Sequence, residues 1–558
     1  MLALSAILFF ARLGTRALWS SEFRWAEIAR EMILTHDYFW PTINGTSHYY
    51  KPLGSYWLVA AAANLTGAMN EAAARIPCAL AGLLAVALLM MLARRLYGLR
   101  IAVIAAFILA TSFSFVFFAR HASADVETIT GELAALALFE RNRDRPNGWW
   151  VAGLWTIMAL TSLTKGLLGF ALPLLVIGVY SCLADGWAEL ARHLTHGGMA
   201  SRLRWFVQHH RWFFNRHTPI AIAVAATIYY LPFAISHRAT GSATGLSMVY
   251  HENIKRFFEP FDHRGPVYLY TYVIFALMAP WSVFLPAALI HAHRRRADTG
   301  GDTVRGDRFT LVFFWATFIF FTLSGSRRSY YLLPILPAAA ILVARTLTTP
   351  ANELTAWTSR LLKAGFALIV VAVAASAFAF IPPRWFLPQP WAQLPMAPDL
   401  PMFALFWLAS VAAIGYALRN FTPARATLAA AAAAWLFMAW FFVFAMPAGD
   451  SWRGEKPFLL RARRIVGDDA ATLVFFRNQR TLGSVFYLGL PKPVPEYQTL
   501  PELAAAIGEG HVHWLIVRRR EVDKFTFPAR LMLGETVYPW DSREHRLNSM
   551  VLLQVPAH

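Results

Sequence analysis

The sequence predicts a polytopic α-helical membrane protein that ends in a small α/β domain. Of its 558 residues, 57% are hydrophobic and 15% are charged, and the mean hydropathy is +0.44. Soluble domains carry about 25% charged residues, so the composition favours a membrane protein. The apolar residues form about thirteen segments that approach the roughly 20 residues needed to cross a bilayer. From about residue 447 the hydropathy falls and strand-like segments take over.

The candidate spans follow one another along residues 1–446, which we assign to a transmembrane domain. The first lacks the small-residue cleavage site of a signal peptide, and we expect it to be a retained span. The fourth contains Asp125, Glu127 and Glu132, so its ends are the hardest to place. The candidate spans are approximately 1–14, 75–94, 101–119, 124–139, 149–164, 166–184, 218–236, 267–290, 309–324, 330–347, 361–381, 401–418 and 424–446.

The distribution of charge predicts the orientation of these spans. The formal net charge of +19 does not indicate nucleic-acid binding, because the basic residues cluster in alternate connections, as the positive-inside rule predicts. The clusters lie at 94–100, 141–145, 185–217 and 294–296. The N-terminus is then cytoplasmic, the loops at 15–74, 237–266 and 382–400 are outside, and an odd number of spans places the C-terminus outside. The two cysteines, Cys78 and Cys182, lie in apolar segments and give no disulfide framework.

Residues 447–558 are predicted to form an extracytoplasmic α/β domain of ordinary size. Short apolar runs bounded by polar and turn residues predict its strands, and a helical pattern separates two of them. The predicted strands are 472–476, 484–487, 513–517 and 550–554, and the predicted helix is 500–507.

The loop at 15–74 is too rich in charge to enter a bilayer, and it is the first place to look for chemistry. Apolar residues at 25, 28, 29 and 32 recur at helical spacing, with Glu27, Arg30 and Glu31 on the other face. This pattern predicts an amphipathic helix at a membrane surface. Pro41 and the Asn-Gly pair at 44–45 then end it, and a second apolar piece opens after 51–52.

Several motifs of this loop resemble the first periplasmic loop of the protein mannosyltransferase-like superfamily. They are REMILTHD at 30–37, NG at 44–45 and YKPL at 50–53. Bacterial members of that superfamily include the lipid A aminoarabinose transferases, which are inverting membrane glycosyltransferases of the GT-C class. The family pattern D-E-x-R-Y-A-E-I-x-R-E-M reads SEFRWAEIAREM here, so Ser21 replaces the first Asp of an acidic pair that the family treats as catalytic. Tyr50 replaces the Glu that precedes the family Lys.

The resemblance implies two catalytic carboxylates, Glu22 and Asp125. Glu22 matches the second acid of the family pair, and a carboxylate can take the proton of an acceptor hydroxyl. An ion pair with Arg24, or with a neighbouring charge on the helix face, is the alternative. Asp125 matches a family Asp where the chain re-enters the bilayer, although Ser123 or Asp125 could instead cap the helix. A phosphate acceptor would need no base.

The resemblance also implies cations for the phosphate of the leaving polyprenol, whose charge grows as the bond breaks. Lys51 matches the family Lys. Arg327 and Arg328 lie in SGSRRSYYLLP at 324–334, which resembles a family turn, and Tyr331 occupies the family Tyr position. Lys165 also matches a family motif, and a purely structural role at an outer turn is its alternative. The alternative for the arginines and Lys51 is snorkelling toward lipid headgroups.

A second loop, 251–266, resembles the family loop that closes over the donor. With Arg24, it supplies possible substrate contacts through His251, Glu252 and His263. Three candidate ligands spread over twelve residues are a weak metal signal, and we expect no cofactor, with a divalent metal as the alternative.

The resemblance therefore implies an inner-membrane glycosyltransferase of the GT-C class whose active site faces the periplasm. Its partners would be a polyprenyl-phosphate-linked sugar, a lipid (lipid A-like) or other cell-envelope acceptor, and membrane lipids. Two alternatives remain. A transporter or flippase for lipid-linked sugars would be expected to show internal repeats, and we see none. A non-catalytic, lipid-binding family member would be consistent with Ser21.

Overall fold

The computed structural model is helical over residues 1–449 and carries a five-stranded sheet near its C-terminal end. It describes the chain except residues 146–147, 184–185, 197, 261, 296–301, 382–384, 386–387, 390–398, 420–421, 451–453, 478–480 and 557–558. Most of the expected outer loop at 382–400, and Arg296 of one basic cluster, therefore lie outside the described residues.

The helices up to residue 182 include the segments that frame the first loop. Asn70 caps the longest of them through its side chain, which accepts a hydrogen bond from Ala73 N at 2.9 Å. That helix packs against its two successors in the membrane domain. The helices are α1 (Leu2–Phe10), α2 (Glu22–Thr35), α3 (Gly54–Thr66), α4 (Glu71–Tyr97), α5 (Leu99–Ala110), α6 (Phe113–Ala119), α7 (Asp125–Asn142), α8 (Trp150–Lys165) and α9 (Leu168–Cys182).

The remaining helices of this part surround the second loop. Several are extended by tighter or wider turns: 3-10 turns at Trp281–Phe284, Ser329–Ile335 and Ser376–Phe380, and π-helical turns at Tyr250–Lys255 and Trp440–Ala445. The helices are α10 (Trp187–His196), α11 (Met199–His209), α12 (Thr218–Thr240), α13 (Thr244–Val249), α14 (Arg256–Phe258), α15 (Leu269–Leu277), α16 (Leu285–Arg295), α17 (Asp302–Leu323), α18 (Leu336–Leu347), α19 (Ala356–Ala375), α20 (Leu400–Arg419), α21 (Pro423–Ala439) and α22 (Met446–Gly449).

The chain is a multi-pass membrane protein, but the number of spans is not fixed at thirteen. Among the described residues, seven helices are long and apolar enough to cross a bilayer, or eight if α5 and α6, bent by 68°, form one broken span. α1 has 9 residues and α9 has 15, which is short of the roughly 20 that a span needs. The expected span at 267–290 is broken at residues 278–280 into α15 and α16.

The amphipathic helix predicted in the first loop is α2, followed by a small hairpin of β1 (Thr42–Ile43) and β2 (Thr46–Ser47). Its polar face, however, does not lie against water. Glu22 and Glu27 are completely buried, and Arg30 Nη1 donates to Leu490 O at 3.1 Å. The C-terminal domain covers this face, which the helical pattern could not reveal because long-range packing decides it.

The C-terminal domain is a mixed sheet of five strands. Its order is β4-β3-β5-β7-β6, parallel between β3 and its two neighbours and antiparallel on the β7 side. Its strands and helices are α23 (Glu455–Val466), β3 (Leu473–Phe476), α24 (Thr481–Leu488), β4 (Glu496–Tyr497), α25 (Leu500–Gly508), β5 (Trp514–Arg518), α26 (Arg519–Val522), β6 (Arg530–Gly534), α27 (Arg543–Leu547) and β7 (Met550–Gln554).

Three of the four predicted strands are confirmed as β3, β5 and β7, and the predicted helix as α25. The strand predicted at 484–487 is wrong, because these residues belong to helix α24. They are buried on every side, with Phe486 and Tyr487 packing edge-on against Phe23 of α2. A short, fully buried apolar run does not distinguish a strand from a helix. The boundary predicted at 446/447 stays a prediction, since α22 continues through it.

The C-terminal domain is docked on the first loop through hydrogen bonds and an ion pair. Asn44 and Val494 exchange two hydrogen bonds of 2.7 and 2.8 Å. Tyr487 Oη accepts from Leu18 N at 2.7 Å and donates to Glu71 at 3.2 Å, while Lys456 pairs with the same Glu71. The first loop and the C-terminal domain therefore lie on one side of the membrane domain.

Candidate active site

A chain of alternating charges connects the two loops next to the membrane domain. Lys51 Nζ, just before α3, lies 2.8 Å from Glu252 Oε2, and Arg256 Nη1 lies 2.6 Å from the same oxygen. Arg256 also donates to both oxygens of Asp262, at 2.6 and 2.7 Å. Burial lowers the pKa of Lys51, against the opposing effect of Glu252, and Arg256 and Lys165 lower it further.

Lys165 is the second cation of this region and stands at the end of α8. Its Nζ contacts Asp125 Oδ1, at the first residue of α7. The same ammonium lies 5.9 Å from the ring centroid of Tyr330 and 5.6 Å from that of Tyr331, within the range of a cation–π contact. Lys165 thus brings together Asp125 and Tyr331, two residues that the resemblance had marked separately.

Arg328 completes a group of four cations that we call the cation cluster: Lys51, Lys165, Arg256 and Arg328. Arg328 is exposed, and its guanidinium lies over the ring of Tyr330 at 5.8 Å. Its charge also helps burial to lower the pKa of His263. These four cations face three carboxylates, namely those of Asp125, Glu252 and Asp262. The cluster therefore keeps an excess of positive charge for an incoming anion.

The neighbouring Arg327 has a different environment. Its side chain donates to the backbone carbonyls of Thr322 and Gly265, at 2.9–3.2 Å. Its backbone N–H donates to His263 O at 2.8 Å. Arg327 therefore joins the end of α17 to the second loop, whereas Arg328 is exposed and its guanidinium lies over the ring of Tyr330.

Asn253 fixes the second loop against the turn that carries Lys165. Its Oδ1 accepts from Leu167 N at 2.8 Å, and its Nδ2 donates to Val249 O at 2.8 Å. Gly166 adopts φ +97°, and a Cβ at that position would overlap Asn253. The turn therefore requires glycine for two reasons: the positive φ angle at residue 166, and the close approach of the turn to the second loop.

Glu22 is not part of the cation cluster. Its two oxygens lie 2.7 and 2.8 Å from Arg75 Nε and Nη2, and they also accept from Trp19 N and Ala122 N. Burial raises the pKa of Glu22, but the charge of His121 in its protonated form, together with the charge and the hydrogen bonds of Arg75, outweighs it and lowers the pKa to about 2. The predicted ion pair with Arg24 is replaced by one with Arg75, whose place in α4 no local pattern reveals.

Arg24 lies in a separate group of polar side chains. Its guanidinium stands 5.8 Å from the Trp25 ring, which lies 6.0 Å from the ring of Tyr56. Within the described part of the chain, Arg24 Nε, Trp25 Nε1, His48 Nε2 and Tyr56 Oη are buried and have no hydrogen-bond partner. Burial, helped by the charge of Arg24, lowers the pKa of His48 to about 4, so this imidazole is neutral at pH 7. We call these four residues the Arg24 group.

The possible metal ligands are not brought together. His251 is exposed and contacts the ring of Tyr250, Glu252 is engaged by two cations, and His263 Nε2 lies 3.1 Å from Asp262. Over the ranges that the structure describes, no three His, Cys, Asp or Glu side chains are grouped for a metal ion.

Three further site residues, Arg256, Asp262 and Asn253, were not singled out from the sequence. All three lie in the loop that the resemblance marks, but their roles depend on contacts with residues at 51 and 167. Lys165 did carry a motif signal. Sequence spacing offers no way to rank polar residues within such a loop.

Comparisons with known proteins bear on the family and the fold of the chain. A sequence model of the family described as dolichyl-phosphate-mannose-protein mannosyltransferase matches residues 50–212. An undecaprenyl phosphate-α-4-amino-4-deoxy-L-arabinose arabinosyl transferase of Pseudomonas fluorescens is 28% identical over 355 residues, 62% of this chain and 59% of that protein. The Pseudomonas aeruginosa enzyme of the same description is 28% identical over 382 residues, 66% of this chain and 63% of its own.

A solved structure covers more of the chain than these sequences do. The crystal structure of ArnT from Cupriavidus metallidurans bound to undecaprenyl phosphate matches 99% of this chain and 96% of its own, with a TM-score of 0.73 and 20% identity. The chain has the GT-C fold. In sequence it is similar to the aminoarabinose transferases, although it spans only about three fifths of the curated relatives it matches. The GT-C fold predicted from the loop motifs is therefore confirmed.

Proposed function

We propose that the chain is an inner-membrane glycosyltransferase that takes a sugar from a polyprenyl phosphate on the periplasmic side. The acceptor is a lipid, lipid A-like, or another component of the cell envelope, and direct displacement inverts the anomeric centre. The cation cluster is the observation that carries this proposal.

The chemistry of the leaving group explains why such a cluster suits the reaction. When the bond between the sugar and the phosphate breaks, the phosphate gains negative charge. Fixed cations in a partly dry site stabilise that charge more in the transition state than in the ground state. Lys51 is only 22% exposed at its side chain and Lys165 only 16%, so both act where water screens little.

Roles within the site follow from the contacts of each side chain. Lys51, Lys165 and Arg328 bind the donor phosphate, and Tyr331 packs beside it. Asp125 orients Lys165 through their ion pair, and Arg327 positions the turn that presents Arg328. Glu252 holds Lys51 until the phosphate arrives. The Arg24 group offers hydrogen bonds to oxygen atoms of a sugar or headgroup.

The similarities support the same proposal. The relatives carry names that describe transfer of aminoarabinose from undecaprenyl phosphate, and ArnT was solved with undecaprenyl phosphate bound. This chain keeps the Lys51 motif but carries Ser21 and Tyr50 in place of two family carboxylates. We therefore propose the donor class and leave the sugar to experiment.

Comparing envelope lipids by mass spectrometry tests the proposal. A deletion strain should lose a glycosylated lipid, and expression of the wild-type protein should restore that lipid. The Lys51→Ala protein should insert into the membrane normally but should not restore the lipid. Lys492→Ala, an exposed lysine of the C-terminal domain, is the matched control and should restore the lipid. Restoration by Lys51→Ala would contradict the assignment. Binding of polyprenyl phosphate without any product in the wild type would instead favour a non-catalytic lipid-binding protein.

A further inference from the structure

Ser21, His121 and Glu22 form a line of three polar side chains where the family carries its acidic pair. Ser21 Oγ lies 3.2 Å from His121 Nε2, and His121 Nδ1 lies 3.5 Å from Glu22 Oε1. Ser21 is the first residue before α2, and His121 lies in the connection between α6 and α7. The two are 100 residues apart in sequence, so no local motif indicates the contact.

The position of Glu22 selects one tautomer of the imidazole. A carboxylate near Nδ1 favours the form with its proton on Nδ1, which leaves Nε2 with a lone pair. Ser21 Oγ then donates to Nε2. The order hydroxyl, imidazole, carboxylate is the arrangement that lets a serine hydroxyl pass a proton to histidine.

The surroundings keep the imidazole neutral and oriented. His121 is 5% exposed and stacks on Phe117 with ring centroids 5.3 Å apart and an interplanar angle of 21°. Burial lowers its pKa, Glu22 and Asp125 raise it, and Arg16 and Arg75 lower it, with a net downward shift. An imidazole that is unprotonated at pH 7 is ready to accept a proton.

The three side chains lie beside the cation cluster. Phe118 stands between His121, at 5.9 Å, and Tyr330, at 5.6 Å, measured between ring centroids. Tyr330 in turn packs against Lys165. Ser21 is partly exposed while His121 and Glu22 are buried, so the hydroxyl is the end of the line that a substrate can reach.

We propose that Ser21 and His121 form the proton acceptor of the transfer reaction, in place of the missing family aspartate. The proposal rests on the proposed function and implies an acceptor hydroxyl. The acceptor oxygen bonds to the anomeric carbon as the bond to the phosphate oxygen breaks, and the polyprenyl phosphate leaves with the electron pair. The acceptor proton moves to Ser21 Oγ, and the serine proton moves to His121 Nε2. Glu22 stabilises the imidazolium that results.

Initial rates of transfer against pH test the relay in purified full-length protein. His121→Gln keeps a hydrogen bond to Ser21 but cannot take up the proton, so transfer should fall at least a hundredfold, within the range of general-base loss. Wild-type activity should fall as the medium is acidified through the pKa of His121, and this acid limb should vanish in His121→Gln. Binding of polyprenyl phosphate should stay within about twofold of wild type. His545→Gln, an exposed histidine of α27, should change neither readout.

Two variants at Ser21 keep the test decisive if the buried His121→Gln protein does not fold. Ser21→Ala removes the relay hydroxyl and should lower transfer at least tenfold. Ser21→Asp places a carboxylate beside Nε2, which raises the pKa of His121 and should move the acid limb to higher pH. Wild-type rates and an unmoved limb in these variants would overturn the relay. Absence of transfer by the wild type would instead overturn the proposed function.

Discussion

At the residue scale, Glu22 shows how a motif position can keep its residue and change its use. The sequence predicts a catalytic base, but the side chain is fully buried and receives two hydrogen bonds from Arg75, at 2.7 and 2.8 Å. A carboxylate with a pKa of about 2 is a weak base at pH 7. We interpret Glu22 as a buried anchor that joins α2 to α4 and supports His121.

Glu22→Gln should therefore destabilise the protein, because it leaves Arg75 as an unpaired buried charge. Breaking such a pair typically costs about 3–5 kcal/mol, and the melting temperature in detergent should fall clearly. Glu509→Gln, at an exposed ion pair, is the control and should melt like wild type. Since the folded pKa is about 2 and the ordinary value 4.5, the contribution of Glu22 is present above pH 4.5 and is lost toward pH 2. Equal melting of both variants at pH 7 would refute the anchor.

The lowered pKa of Lys51 gives a prediction of its own. Burial lowers it below 10.5, and Arg256 and Lys165 lower it further against the effect of Glu252. Donor binding that requires the ammonium should thus weaken as the pH rises toward that lowered value. Lys51→Arg, whose guanidinium stays charged above pH 12, should bind with no such alkaline loss. Measuring the affinity of the wild type and of Lys51→Arg for polyprenyl phosphate between pH 7 and about pH 10 distinguishes these two outcomes. Parallel curves would mean that Lys51 does not contact the phosphate.

The sequence indicated much of this site, and it did so unevenly. Lys51, Asp125 and Tyr331 were predicted from motifs, and the structure places them around one region with Lys165. The ion pairs were not predictable, because Glu252 pairs with Lys51 across 201 residues of the chain and Arg75 pairs with Glu22 across 53. The difference between Arg327 and Arg328 likewise depends on which guanidinium meets backbone carbonyls.

At the scale of elements, the π-helical turn Tyr250–Lys255 carries the second loop to the site. π-helical turns are rare and frequently occur at functional sites. Asn253 holds this turn against residues 166–167, and Arg327 holds the far end of the second loop through Gly265 O. These contacts fix Glu252 and Arg256 at their distances from Lys51.

Asn253→Ala should loosen the loop without unfolding the protein. The variant leaves Leu167 N, which is only partly buried, without its acceptor, so the cost should lie toward the low end of the about 1–3 kcal/mol for an unsatisfied buried donor. We expect kcat/KM for the donor to fall about tenfold, with normal insertion. Phe258→Ala removes a 74% exposed side chain at the end of α14, within the same loop, and should keep wild-type kinetics. If Asn253→Ala were as active as Phe258→Ala, the turn would not control the site.

The helical and strand patterns predicted most elements and failed where packing on several sides decides the outcome. α2, α25 and three strands lie where the sequence placed them. Helix α24 was missed because its residues 484–488 are buried on all faces, which erases periodicity. The polar face of α2 suggested solvent, yet the C-terminal domain covers it.

At the scale of the whole molecule, the docking of the C-terminal domain on the first loop constrains topology. Hydrogen bonds such as Asn44 Nδ2 to Val494 O, 2.8 Å, require both to lie on one side of the membrane. The count of about thirteen spans stays a prediction, whereas the contact itself requires an even number of crossings between the first loop and this domain.

A reporter fused after residue 558 tests that arrangement. With a cytoplasmic N-terminus and the first loop outside, a reporter active only in the periplasm should be active there. A cytoplasmic reporter at the same position should be silent. A fusion within the basic segment 185–217 is the control, and it should show the reverse pattern. Cytoplasmic activity after residue 558 would mean that the orientation is inverted or that the number of spans is even.

Binding of undecaprenyl phosphate to the purified full-length protein tests the central claim most directly, namely that the cation cluster holds the phosphate of a polyprenyl donor. We predict saturable binding to the wild type and to Lys492→Ala. Lys51→Ala and Arg328→Ala should each weaken it at least tenfold, because a hydrogen bond to a charged group contributes about 1.5–3 kcal/mol. Wild-type affinity in both cluster variants would contradict the claim.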